Sequence, residues 1–94
     1  MITDLEIVAV FNSLIENEIE LSNLGKYCAV GKNEYQIGDW FISIHFDIDE
    51  LDYISKVVAP DGRERIEKIQ FTNIFTIRQI LYLEEKKFTE WKRS

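Results

Sequence analysis

Apolar residues fall on every second position through Trp40, Ile42, Ile44, Phe46 and Ile48, which places them on one face of a strand. The opposite face then carries Phe41, Ser43, His45, Asp47 and Asp49. A second run, Tyr53 to Ala59, follows within a few residues and stops at Pro60-Asp61-Gly62. That tripeptide is a turn signal: proline presets φ, aspartate bonds its own backbone, and glycine accepts positive φ. The stretch therefore predicts a hairpin feeding another turn, at the centre of an antiparallel sheet. Arg63 to Phe71 mixes charged and apolar residues and reads as the next strand, at an edge of the sheet.

The period changes at both ends of the chain. Ile7, Val8, Phe11, Leu14, Ile15 and Ile19 recur at three- and four-residue spacing after Thr3-Asp4-Leu5-Glu6, a capping box, so an amphipathic helix is expected there, with Gly25 as its stop. Glu18 to Leu21 also alternates, and a short extended segment is an option. Lys26 to Val30 is a candidate strand, with Gly31-Lys32-Asn33 as a turn leading into Glu34 to Ile37. Gly38 interrupts the pattern and predicts a bend, so that residues 34–48 form one long bent strand. A second capping box, Thr76 to Gln79, starts a last helix, or Thr72 or Asn73 starts it a turn earlier, with a stripe of Ile77, Ile80, Leu81, Phe88 and Trp91, broken by Glu84. The expectation is one α+β domain over residues 1–94, ordered α-β-β-β(-β)-α, with an antiparallel sheet packed on N- and C-terminal helices. Ala in place of Trp40 or Ile44 is expected to cost ~2–5 kcal/mol, and in place of Ser43 or His45 little.

Composition is that of a folded domain, with 46% hydrophobic and 30% charged residues. A single cysteine, Cys28, excludes an intramolecular disulfide, and its apolar neighbours predict a buried, inert thiol. No apolar run reaches the roughly 18 residues of a membrane span, and there is no signal-peptide pattern, so a cytoplasmic location is expected.

Charge changes the picture more. The net charge is −6, yet residues 1–54 hold eleven acidic side chains against Lys26 and Lys32, while residues 55–94 hold nine basic against six acidic. Asp47, Asp49, Glu50 and Asp52 cluster at the expected hairpin tip, and Glu16, Glu18 and Glu20 join them if the first helix lies close. Such a patch attracts basic protein surfaces, including the grooves of nucleic-acid-binding proteins, and disfavours direct nucleic-acid binding. The set Asp47, Asp49, Glu50, Asp52, Glu16 and Glu20 is the expected partner-binding surface.

The remaining chemistry is thin. His45-x-Asp47-x-Asp49 is a weak divalent-cation pattern, and exposed alternation explains it as well. The KKFTEWKRS end joins basic residues to Phe88 and Trp91, which the helical stripe explains as core. No phosphate-cradling glycine loop, Ser/His/Asp set or paired-cysteine motif is present. The leading expectation is a non-enzymatic acidic binding module without cofactors, of the inhibitor kind that immunity and phage anti-defence proteins represent. The alternative is a homodimeric structural or regulatory domain that uses an open sheet face (Tyr35, Phe41, Tyr53) or the last helix. A metal-dependent enzyme built on His45, Asp47 and Asp49 stands third.

Overall fold

In the computed structural model, which describes residues 1–88, the first helix begins where the capping box places it. The Thr3 amide donates to Glu6 Oε1 at 3.1 Å, and the Glu6 amide donates to Thr3 Oγ1 at 3.2 Å. α1 (Asp4–Ile15) ends earlier than Gly25, at a Schellman turn with Asn17 in the left-handed region at φ 62°. There the Glu18 amide donates to the Ser13 carbonyl and the Asn17 amide to the Leu14 carbonyl. Its buried face is Ile7, Val10, Phe11 and Leu14.

Five strands follow in a simple meander: β1 (Leu21–Asn23), β2 (Gly31–Ile37), β3 (Trp40–Asp47), β4 (Glu50–Val58) and β5 (Glu64–Gln70), each antiparallel to the next. Three sequence expectations are corrected here. Gly31, Lys32 and Asn33 belong to β2 rather than to a turn, and Lys26–Val30 is a loop. Asn33 explains the difference: its buried amide accepts from the Cys28 N–H at 2.7 Å and donates to the Cys28 carbonyl at 2.8 Å. That side chain satisfies backbone that a strand would otherwise pair. Gly38, at φ 58°, is not a bend within one strand but half of a two-residue turn between β2 and β3, with Ile37 paired to Trp40.

The register shifts of β4 against β3 fall around Asp52 and Ser55. They stretch the inward spacing of β4 to three residues, so Leu51, Ile54 and Val57 all face the core. The Pro60-Asp61-Gly62 turn joins β4 to β5 as expected, with Gly62 at φ 91°. α2 (Phe71–Ile74) and α3 (Ile77–Tyr82) complete the fold, and α3 runs into a π-helical turn over Leu83–Lys87. The Phe88 amide reaches back five residues to the Leu83 carbonyl.

That turn moves the buried stripe. Ile80, Leu83 and Phe88 are in the core, whereas Ile77 (71% exposed) and Leu81 (49%) face outward, against expectation. Trp91, also assigned to the stripe, lies outside the described residues. α1 and the C-terminal helices pack on the same face of the sheet. Phe11 meets Phe71 and Phe75 edge-on, and Phe88 meets Tyr35 and Phe46. Tyr35 is therefore core, not part of an outer platform. Phe41, His45, Tyr53, Val58 and Ile66 stay on the other face, which no described helix covers.

Candidate functional site

The β3–β4 hairpin closes on the pair Asp47 and Glu50, leaving Ile48 and Asp49 as its two turn residues. Both turn residues have positive φ, 47° and 65°, the geometry of a type I′ turn. Such turns favour Asn-Gly, because a β-branched side chain crowds its own backbone in the left-handed region. Ile48 nonetheless occupies the first position and is 71% exposed, so it is not on the buried face of β3. Asp47 and Glu50 are exposed on either side of it.

The tip is held from beneath. The Asp49 amide donates to the Ala29 carbonyl at 2.9 Å, and Asp49 Oδ1 accepts from the Tyr27 hydroxyl at 2.5 Å. Burial and that carboxylate push the Tyr27 hydroxyl well above its usual range, so it stays protonated and donates. The Tyr27 ring stands edge-on to Phe46. On the helical side, Glu84 Oε2 accepts from the Leu51 amide at 2.7 Å. The acid that breaks the apolar stripe of the last helix thus serves the hairpin.

The predicted acids do not form one surface. Asp47 and Glu50 are outward carboxylates, Asp49 anchors the loop beneath, and Asp52 lies 3.8 Å from His45 Nδ1. Glu16 and Glu20 belong to the far end of the sheet. The Glu20 carbonyl accepts from the Gly38 amide at the β2–β3 turn, one full strand from the tip. β3 separates the two ends by roughly 23 Å at ~3.3 Å per residue. Lys86 and Lys87 approach the Glu20 end, where Lys87 Nζ donates to Asn17 Oδ1.

The cation pattern is not assembled either. His45 neighbours Asp52, Asp49 is turned to Tyr27, and no group of three His, Cys, Asp or Glu side chains able to hold a metal occurs among the described residues. The His45 ring stacks on Tyr53 at 4.7 Å, and Lys68 Nζ lies over the Tyr53 ring at 4.6 Å. His45 of β3 and Lys68 of β5 thus both pack against the Tyr53 ring on the open sheet face. Cys28 is exposed rather than buried, because its loop runs across the surface with its backbone tied to Asn33.

Sequence reasoning missed Ile48, Asn33 and Glu84. The signal for Ile48 was its place between Asp47 and Asp49-Glu50, where strand alternation gives way to consecutive acids. Glu84 bonds an amide 33 residues away in sequence, which no local pattern displays, and Asn33 reaches back five residues to both backbone groups of Cys28, a loop closure that strand alternation does not display.

The chain belongs to the family described as "Domain of unknown function (DUF7693)", which it matches over residues 1–73. That span includes α1, all five strands and the β3–β4 tip, and ends within α2. No curated protein and no solved structure matches the chain.

Proposed function

We propose that this protein is a small, acidic, non-enzymatic binding module that acts in the cytoplasm and docks its β3–β4 tip on a basic surface of another protein. The observation that carries the reading is Ile48: a β-branched residue at φ 47°, 71% exposed, between two outward carboxylates. A sequence free to relax this turn would place Asn or Gly there. An exposed aliphatic anchor flanked by two carboxylates suits a partner pocket with a basic rim, the apolar contact setting dissociation and the charges setting encounter rate. The Tyr27, Ala29 and Glu84 contacts hold the tip in one shape, which lowers the entropy lost on docking. An inhibitor of the immunity or anti-defence kind, occupying the basic groove of a nucleic-acid-binding protein, is the use this chemistry fits.

The test is capture from host extract by wild type, by Asp47→Asn/Glu50→Gln and by Ile48→Asn. A partner retained by wild type is expected to be lost from both variants, and to elute from wild type as salt rises. Equal capture by all three places the binding surface elsewhere.

A second reading, self-association through α3, is favoured by the exposure of Ile77, Leu81 and Tyr82 on one side of that helix. Sedimentation of wild type beside Ile77→Ser/Leu81→Ser separates the two. A dimer that persists in high salt and dissolves in the variant is the outcome this reading requires.

A further inference from the structure

At the end of the sheet opposite the tip, a groove of about 350 Å³ opens between α1, the β2–β3 turn and the Pro60 turn. Its walls are mainly apolar, from Ala9, Val10, Ile19, half-buried Trp40 and Pro60, with Glu6, Ser13 and Asp39 completing the lining. Ile19 and Gly38 form a ridge, on whose far side a second hollow of about 530 Å³ is bordered by Glu18, Glu20 and Asp39. The ridge is firmly built. Gly38 sits at φ 58° with its amide bonded to the Glu20 carbonyl, and a Cβ there would stand 3.2 Å from the Ile19 side chain.

The charges on this side of the molecule contrast with those around β5. There the acids are spoken for: Glu6 and Asp61 pair with Arg63, Asp4 and Glu67 with Arg65, and Glu64 with Lys56. Glu18, Glu20 and Asp39 are exposed, and among the described residues none of them has an ion-pair partner. Lys86 and Lys87 share a neighbouring hollow with Glu20 but form no ion pair with it, Lys87 donating to Asn17 instead. Carboxylates without ion-pair partners beside an apolar groove with an indole wall are complementary to one kind of side chain, an aliphatic stem ending in a cation.

We infer that this groove is a second docking site, which takes an extended basic segment of a partner protein. An apolar side chain of the segment lies against Val10, Trp40 and Pro60, and a neighbouring Lys or Arg crosses the Ile19 ridge to Glu18, Glu20 and Asp39. The site shares with the tip only its preference for a basic partner, and stands or falls separately.

The probe is a blocked hexapeptide in which lysines alternate with leucines, titrated into the ¹⁵N-labelled protein, with a glutamate-for-lysine peptide as control. Saturable shifts are expected at the Ile19 and Gly38 amides and the Trp40 indole N–H, absent with the control peptide. The variant Glu18→Gln/Glu20→Gln/Asp39→Asn, which alters only exposed side chains, is expected to weaken binding about tenfold. Equal response to both peptides, or unchanged affinity in the triple variant, overturns the site. Shifts confined to Ile48 and its neighbours overturn it too while leaving the tip reading in place. Shifts at the ridge, together with extract capture indifferent to the tip variants, remove the tip and keep the groove.

Discussion

Ile48 shows how a single residue separates folding from function. In the left-handed region a β-branched side chain costs about 1–2 kcal/mol relative to residues at ease there. Ile48→Asn is therefore expected to raise stability by about 1 kcal/mol in urea melts, while weakening partner capture. A loss of stability would mean that the side chain packs on the tip rather than straining it. Ser43 makes the complementary case. It lies on the open sheet face yet is only 2% exposed, and its hydroxyl has no hydrogen-bond partner among the described residues. A buried hydroxyl without a partner costs about 1–3 kcal/mol. Ser43→Ala is thus expected to leave the urea midpoint unchanged or to raise it. A clear fall would reveal a bond through the Oγ. Strand alternation placed Ser43 on the correct face, but burial there depends on neighbours from adjacent strands, which alternation does not specify.

Among the elements, the starts of α1 and α3 were legible because a capping box is a local reciprocal bond between residues three apart, whereas α2 begins without a side-chain cap. Where α1 stops was not: Asn17 took the left-handed position that glycine was expected to fill at Gly25. The outward turn of Ile77 and Leu81 was hidden for a related reason, since the π-helical turn adds a residue and breaks the 3.6-residue period. Asn33 offers a test of how β2 and the Lys26–Val30 loop depend on each other. Its two hydrogen bonds to Cys28 are part-buried, so Asn33→Ala is expected to cost about 2–3 kcal/mol in denaturant unfolding. It should also raise amide exchange at Cys28 first. α1 and β5 are joined by charge instead, through Glu6 and Arg63. The Arg63 guanidinium, with help from the Thr3 amide, holds the Glu6 carboxyl at about 2, below its ordinary 4.5. A depressed carboxyl gives stability that is fully present above its unfolded value and fades as pH falls through its folded one. The contribution should therefore disappear between pH 4.5 and about 2. Urea midpoints measured down that window should fall less steeply in Glu6→Gln, which keeps a capping oxygen without the titration. Parallel slopes would dismiss the pairing as a source of acid sensitivity.

At the scale of the whole molecule, the charge asymmetry between the two halves of the sequence becomes an asymmetry of neutralisation. The acids around β5 and the start of α1 are paired with Arg63, Arg65 and Lys56. Among the described residues, the exposed acids without an ion-pair partner include Asp47 and Glu50 at one end of β3 and Glu18, Glu20 and Asp39 at the other. Acidic composition alone suggested one patch; the meander splits it, because Glu20 follows the β2–β3 turn while the hairpin acids follow its opposite end. Two patches separated by a rigid strand, with no shared partner residue, should contribute independently to any partner broad enough to touch both. Once such a partner is purified, the affinities of wild type, the tip variant Asp47→Asn/Glu50→Gln, the groove variant Glu18→Gln/Glu20→Gln/Asp39→Asn and their combination form a cycle. The losses are expected to add within about 0.3–0.5 kcal/mol. A combined loss well short of the sum would mean that the partner's basic surface meets only one end at a time, and that the two sites compete for it.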